Sequence, residues 1–286
     1  MVTQVWDGVG LAGGLLREAA EWRQVEGRGW ETVATGFPTL DSLLPAGGVR
    51  RGGFIEWLAG GDAASADAGG AISLACAVAC RLAASAPQAS TIVVVDRGQR
   101  FYPPAVLPWL DAQTGVAAGG GRRPQLVVAR PSRDDDEIWA IDQALRCPGV
   151  AAVLAWPGRV HSTAMRRWQL ATRASGAVGL LVRGLAGRPQ ASEPTWADAR
   201  IAVTPVAEGV AVADFAVRRL RLSLVGGPWS GDEMLQERST ELRLDLTNGR
   251  ESTRRHRQPG WSGMPSAAGR FQDGRFQLEG AACRAS

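Results

Sequence analysis

Residues 57–86 read WLAGGDAASADAGGAISLACAVACRLAASA and combine the end of an apolar segment, a glycine-rich turn and an alanine-rich run. The apolar segment predicts a strand, and the alanine-rich run predicts a helix that begins near Ile72. A strand, a glycine-rich loop and a helix in this order form the frame of a phosphate-binding loop. This stretch therefore predicts an α/β fold and marks the first candidate site of the chain.

The neighbouring segments repeat the same alternation of strand and helix. Apolar runs of strand length predict strands at Gly53–Leu58, Thr91–Asp96, Gln125–Ala129, Val150–Ala155 and Val178–Arg183. Helical spacing predicts helices at Leu40–Leu44, Ile72–Ala84, Pro104–Gln113, around Asp134–Leu145, and at Ser162–Ala174. Continuous apolar strands are typical of a parallel sheet that is covered on both faces. We therefore expect an α/β three-layer sandwich around a mostly parallel central sheet.

Individual residues mark the ends of two of these helices. Ser132 and Ser162 precede helical patterns and are predicted as N-caps. Residues 134–137 are all acidic, and the dipole of a helix favours negative charge in its first turn. Gly176 is predicted to end the second helix.

The pattern changes after about residue 195. Segments with alternating faces are Ala199–Val203, Ala211–Leu224 and Thr240–Leu246. Alternation of this kind predicts antiparallel strands that extend the sheet. The last segment is rich in Arg, Gly, Pro, Ser and Gln, which predicts a flexible tail. The predicted organisation is an N-terminal helical appendage at 1–30, a core domain at 31–249 and an Arg-rich tail at 250–286.

The overall composition predicts a soluble globular protein of the reducing cytoplasm. Hydrophobic residues make up 45% and charged residues 21% of the 286 residues. No apolar run approaches the roughly 20 residues that a membrane-spanning helix needs. The N-terminal sequence lacks the pattern of an export signal. The four cysteines and two histidines have spacings unlike those of a disulfide framework or a zinc site, so we expect no metal.

The basic residues are all of one type. The formal net charge is +4, and because the chain contains no lysine, all 32 basic residues are arginines. Arginine keeps its proton, which excludes Schiff-base chemistry and lysine-dependent phosphate chemistry. A GC-rich genome that favours arginine codons explains this usage, and an excess of arginine also fits a partner that carries phosphates or carboxylates.

The glycine-rich turn departs from a working phosphate-binding loop. Such a loop has the pattern G-x-x-x-x-G-K-[ST], in which the lysine contacts phosphate oxygens and the hydroxyl binds magnesium. Here Gly60 and Gly61 open the turn, and eight residues separate Gly60 from Gly69. Gly70 and Ala71 stand where the lysine and the hydroxyl residue belong. The sequence therefore predicts a degenerate nucleotide loop.

Two further groups that nucleotide hydrolysis requires are missing from the pattern. No arginine lies between Arg51 and Arg81 to replace the absent lysine. The later strand that should end in a magnesium-binding acid ends at Trp156 instead. We predict no enzymatic activity and no cofactor. ATP binding without hydrolysis is doubtful and stays open, and a purely structural turn is the alternative.

Residues 34–57, ATGFPTLDSLLPAGGVRRGGFIEW, carry the most specific resemblance to a known family. RecA-type recombinases have a similar series ahead of their phosphate-binding loop. The matching positions here are Thr35-Gly36, Leu40-Asp41, Gly47-Gly48 and Gly52 to Glu56. The stretch IVVVDRGQRFYPP resembles their next strand, with Asp96 at its acidic end and Gly98 where they have a catalytic glutamate. The resemblance implies a RecA-like sandwich with a degenerate ATP site.

More closely, the chain resembles the ImuA family of translesion-synthesis accessory proteins. The similar stretches are IWAIDQALRCPGVAAVLAWPGRV, RRWQLATRASGAVGLLVR, ARIAV and RRLRLSLVGG, and the resemblance covers about residues 15–250. It implies a non-catalytic protein of the SOS-type response to DNA damage, acting in error-prone translesion synthesis. The implied partners are a Y-family polymerase-like protein and a replicative-type error-prone polymerase, with the RecA filament and DNA as further candidates.

Two other functions stay open on the sequence. One is a nucleotide-binding RecA-type ATPase or recombinase regulator, which would need ATP to bind at the degenerate loop. The other is an SOS-type cell-division inhibitor, which would cause filamentation without an effect on mutagenesis.

Three groups of polar residues are candidate contacts for a partner or for DNA. They are Arg166, Arg167, Gln169 and Arg173 on a helix face opposite Met165 and Trp168; Arg218, Arg219 and Arg221 in a late strand; and Arg250, Arg254, Arg255 and Arg257 in the tail. Solvated faces explain the same patterns. Trp139, Trp156 and Trp168 are predicted to lie in the core or in an interface.

Overall fold

The computed structural model describes residues 31–59, 70–86, 91–114, 123–158, 160–184, 195–206, 216–226 and 238–252. The strands within these residues are β1 (Thr32–Val33), β2 (Val49–Arg50), β3 (Phe54–Ala59), β4 (Thr91–Val95), β5 (Gln125–Ala129), β6 (Val150–Ala155), β7 (Val178–Gly184), β8 (Ala199–Pro205), β9 (Val217–Gly226), β10 (Ser239–Asp245) and β11 (Arg250–Glu251). The α-helices are α1 (Pro38–Leu43), α2 (Ala71–Ala84), α3 (Leu107–Thr114), α4 (Asp134–Arg146) and α5 (Ser162–Ser175), and a 3₁₀ turn covers Pro103–Ala105.

Nine of the described strands form one mixed sheet in the order β11-β10-β9-β8-β3-β7-β6-β4-β5. The six strands from β8 to β5 are parallel to one another. Strands β9, β10 and β11 continue the sheet through antiparallel pairs. The prediction of an α/β fold with a mostly parallel sheet and an antiparallel extension is thus confirmed.

Apolar clusters lie on both faces of this sheet. Helices α1, α2 and α3 contribute to the cluster on one side, which we name the α2 face. Helices α4 and α5 contribute to the cluster on the other side, which we name the α5 face. Strand β3 lies between β7 and β8 and is buried along its whole length, with Ile55 and Trp57 in the α2-face cluster and Phe54 in the α5-face cluster. The loop that follows β3 therefore leaves the middle of the sheet.

The predicted helix ends are confirmed in part. Gly176 ends α5 with φ +82°, and its N–H donates to the Thr172 carbonyl at 2.8 Å. The two serine N-caps are wrong. Arg133 precedes α4 and His161 precedes α5, and neither cap makes a side-chain hydrogen bond. Acidic residues already stabilise the start of α4, so a capping hydroxyl is not required there.

The helix predicted at Pro104–Gln113 is divided in two. Residues Pro103–Ala105 form the 3₁₀ turn, and α3 begins at Leu107. Proline has no backbone N–H, so adjacent prolines at 103 and 104 cannot supply donors to a longer helix.

The core extends slightly beyond its predicted end at residue 249. Arg250 and Glu251 form β11, and the Ser252 N–H donates to the Arg243 carbonyl at 2.8 Å. The Glu251 carboxylate accepts hydrogen bonds from the N–H of Thr39, at 3.1 Å, and from its hydroxyl. Assigning these first residues to a flexible tail was therefore wrong. The rest of the predicted tail and the appendage at 1–30 lie outside the described residues.

Helix α2 carries two cysteines on its buried side. Cys76 and Cys80 are one turn apart and are both buried. Burial raises the pKa of the Cys76 thiol to about 12, and it also raises the pKa of Cys80, so both thiols stay protonated and unreactive at neutral pH.

Among the described helices, none has the length and apolar character needed to cross a bilayer.

Candidate functional site

The degenerate loop is described only at its end. Gly60, Gly61 and Gly69 lie outside the described residues, whereas Gly70 precedes α2 and Ala71 is the first residue of that helix. Gly70 has φ +104°, a conformation that side-chain-bearing residues rarely adopt. No side chain caps this helix end. In a nucleotide-binding protein this is where a phosphate would lie.

An aliphatic side chain lies directly against Gly70. A Cβ atom at this position would be 2.4 Å from Cδ2 of Leu220 and 3.2 Å from Cδ of Arg218, both of which belong to β9. A carbon–carbon distance of 2.4 Å is far inside van der Waals contact. A side chain at this position would force Leu220 to move, and φ +104° adds backbone strain, so both features favour glycine here.

The same contact brings an arginine to the end of the loop. No arginine is near Gly70 in sequence, but β9 brings the aliphatic stem of Arg218 to it in space. Sequence reasoning missed this approach because the two residues lie far apart in the chain. The register of β9 in the sheet is what places Arg218 at the start of α2.

The acid that follows β4 is occupied by hydrogen bonds from its own loop. Asp96 is buried, and its two carboxylate oxygens accept the N–H of Arg100 at 2.9 Å and the N–H of Phe101 at 2.8 Å. Gln99, inside the same loop, has φ +52°. The carboxylate thus holds residues 97–101 in a tight turn. Gly98, at the position of the recombinase glutamate, lies within this turn.

An aromatic contact fills the space between the ends of β4 and β6. The ring centroids of Phe101 and Trp156 are 6.2 Å apart, and both side chains are buried. Ligands of open α/β sheets bind outside the carboxyl ends of the strands. In this chain that edge carries an aromatic pair where a magnesium-binding acid would stand. Sequence reasoning predicted a buried Trp156 but missed its partner Phe101.

Other acids near this edge are paired with one arginine. Arg97 contacts Asp134 at 2.8 Å and Glu137 at 3.5 Å. Burial raises the pKa of the Glu137 carboxyl, and the charge of Arg97 opposes this effect. Within the part of the chain that the structure describes, no three Asp, Glu, His or Cys side chains come together as a metal site.

A buried ionic cluster joins the three central strands on the α5 face. Glu56 in β3 is fully buried, and its carboxylate contacts Nε of Arg200 in β8 at 2.8 Å and a terminal nitrogen of Arg183 in β7 at 3.1 Å. The Thr195 hydroxyl donates to the same carboxylate at 2.9 Å. The cluster holds β3, β7 and β8 in register. Sequence reasoning named Glu56 only through the resemblance, and it missed both arginines.

The predicted basic face of α5 makes intramolecular contacts. Arg166 lies over the Trp196 ring, 4.4 Å from its centroid, and Arg167 pairs with Asp142 of α4 at 2.9 Å. Burial lowers the pKa of Arg173, which is half-buried near Asp198. Gln169, predicted on the exposed side, is buried and donates to the Trp196 carbonyl at 2.7 Å.

The structure separates the arginines of β9. Arg218 belongs to the α2 face, where it lies near Gly70. Arg219 and Arg221 point to the opposite face, and each donates to Glu241 of β10 at 2.9 Å. These bonds from Arg221 and Arg219 lower the pKa of the Glu241 carboxyl.

The other predicted contact residues have separate positions. Arg250 donates to the Ala112 carbonyl at the end of α3, and Arg254, Arg255 and Arg257 lie outside the described residues. Trp168 is buried as predicted, whereas Trp139 is 64% exposed on α4 and does not belong to the core.

The chain was also compared with known proteins. No protein-family model matches it, and no curated protein is significantly similar to it.

Proposed function

We propose that this chain is a non-catalytic, RecA-like accessory protein of DNA-damage-induced, error-prone translesion synthesis. It acts in the cytoplasm by binding a Y-family polymerase-like protein, with the RecA filament and DNA as further candidate partners. The family assignment rests on the resemblance of residues 34–57 and of the later stretches to the ImuA family. The absence of catalysis rests on the residues at the carboxyl edge of the sheet.

The single observation that carries the proposal is the contact between Leu220 and Gly70. Leu220 of β9 packs against Gly70, the residue that stands where the lysine of a phosphate-binding loop belongs. The neighbouring positions support the same reading, because Asp96 is bonded to its own loop and Trp156 packs on Phe101. The frame of a nucleotide site is thus used for internal packing.

The sheet supports a RecA-like core. Strand β3, which precedes the glycine-rich turn, lies inside the parallel part of the sheet, and α2 packs on one face after it. The antiparallel strands β9 and β10 then extend the sheet beyond β8. This arrangement is compatible with the RecA-like sandwich that the resemblance implies.

A scaffold of this kind needs no chemistry of its own. A protein that binds two partners at once raises the effective concentration of each partner at the other. The combined binding can then be stronger than either separate affinity. A polymerase tethered beside a lesion would benefit in this way. Surface contacts are then the working part of the molecule.

Affinity purification of the full-length chain from DNA-damaged cells tests the proposal. We expect a Y-family polymerase-like protein to be recovered with it and identified by mass spectrometry, with weaker recovery from undamaged cells. A truncated variant that ends at Ser252 tests the contribution of the tail. It keeps β11, because Glu251 of this strand is hydrogen-bonded to Thr39 of α1. Absence of any polymerase-like partner from the damaged-cell sample would contradict the proposal.

A further inference from the structure

The antiparallel extension of the sheet has one apolar side and one charged side. Leu220 and Leu222 of β9, with Leu242 and Leu244 of β10, are buried on the α2 face. The alternate residues point the other way. There, Arg221 is paired in register with Glu241, and Arg219 is paired with Arg243. We name Arg219, Arg221 and Arg243 the arginine face.

Positive charge is in excess on this face. Two arginines share the Glu241 carboxylate, and the side chain of Arg221 is 57% exposed. At Arg219 and Arg221 one carboxylate therefore balances two guanidinium groups, and an anionic ligand would neutralise the remaining positive charge.

Within the described residues of β9 and β10, the arginine face carries no large apolar side chain that could anchor a protein partner. The large exposed hydrophobic residues of the described chain are Tyr102, Val127, Trp139 and Leu170, and none of them belongs to β9 or β10. Protein interfaces derive most of their affinity from buried aromatic or aliphatic anchors. A surface that offers guanidinium groups without such anchors fits a ligand that is bound through its charge.

The same feature distinguishes between forms of nucleic acid. Proteins that bind single strands usually stack the exposed bases on aromatic side chains, which the described part of this face does not offer. A duplex keeps its bases stacked inside and presents its phosphates to arginines. Arg219 and Arg221 are two residues apart on one strand face, a rise of about 6.8 Å, so they can reach neighbouring phosphates.

We propose that the arginine face binds the phosphate backbone of duplex DNA without regard to sequence. In the free protein Glu241 holds the guanidinium groups of Arg219 and Arg221 side by side, and phosphate oxygens replace its carboxylate on binding. The inference rests on the proposed function, since it selects DNA among the candidate partners. The two proposals can fail independently, because a polymerase-like partner can be recovered even if these arginines do not bind DNA.

Fluorescence anisotropy with the full-length chain and a labelled 20-base-pair duplex tests the inference. We expect the R219Q/R221Q variant to bind about tenfold or more weakly at low salt than the unmodified chain. The slope of log K against log salt should fall by about 1.8, because each phosphate contact contributes about 0.9. The E241Q variant should bind more tightly than the unmodified chain, since a competing carboxylate is removed.

A matched control removes two arginines elsewhere. Arg123 and Arg146 are ion-paired with Asp111 and Asp142 and are about as exposed as Arg221, so R123Q/R146Q changes the net charge equally. We expect this control to keep the salt slope of the unmodified chain. Equal losses in both double variants, or no duplex binding by the unmodified chain, would overturn the inference. Tighter binding of single-stranded DNA or of a poly-glutamate peptide than of the duplex, through the same arginines, would also overturn the inference.

Discussion

Replacing Glu56 with glutamine is expected to lower the free energy of unfolding by about 3 to 5 kcal/mol, the usual result of removing one partner from a buried ion pair. Glutamine keeps the shape of the side chain but removes the charge that Arg183 and Arg200 contact. The fully buried Arg200 and the partly buried Arg183 would then both lose this carboxylate. Urea unfolding followed by tryptophan fluorescence measures the change.

The chain offers a matched control for this experiment. Glu241 also bridges two arginines, Arg219 and Arg221, but it does so on an exposed face of the sheet. We expect E241Q to leave the unfolding midpoint nearly unchanged, because solvent screens exposed ion pairs. If E56Q were no less stable than E241Q, the central cluster would not hold the sheet in register as described here.

Replacing Gly70 with alanine is expected to lower the free energy of unfolding by about 3 to 4 kcal/mol, through backbone strain and overpacking together. The backbone has φ +104° at this residue, and the new methyl group would overlap Leu220. Thermal and urea unfolding of the variant measure the effect.

Gly176 separates the two contributions. It also has a positive φ, of +82°, but a Cβ atom there would meet nothing within 4 Å. G176A should therefore show the backbone cost alone, about 1 to 2 kcal/mol. In a chain that already carries L220A, the G70A substitution should lower the free energy of unfolding by less than it does in the unmodified chain. Equal effects of G70A and G176A would mean that β9 does not pack tightly on the start of α2.

The sequence predicts the strands of this fold well because of how they are buried. Strand β6 is buried along its whole length, and it begins and ends where the apolar run Val150–Ala155 predicts it. A strand buried on both faces leaves a continuous apolar run, which is visible without knowledge of its neighbours. Strand β11 has only two residues and is held by pairing with β10, so it leaves no such run.

The contacts of the candidate site could not be predicted in the same way. Helical spacing indicates which side of α5 is apolar, but it does not reveal the neighbours beside the helix. Gln169 and Arg166 contact Trp196, and Arg167 contacts Asp142, so a face that looks solvated in sequence is largely covered. Likewise, the approach of Leu220 to Gly70 depends on the order of strands in the sheet.

The departures of the loop from a phosphate-binding pattern are visible in the sequence, whereas the contacts at the end of the loop are not. The missing lysine and the missing acid at Trp156 can be read directly from the pattern. That Leu220 packs on Gly70 and Phe101 on Trp156 becomes visible only in the fold. These two contacts support the proposed scaffold role more strongly than the missing residues do.

Equilibrium titration of the full-length chain with a fluorescent ATP analogue and magnesium tests the central claim most directly. Leu220 packs on Gly70, Asp96 is hydrogen-bonded to its own loop, and Trp156 packs on Phe101. We therefore expect no saturable binding of the analogue in the micromolar range. Saturable micromolar binding that unlabelled ATP displaces would show that a triphosphate does seat at the start of α2, and it would contradict the scaffold account.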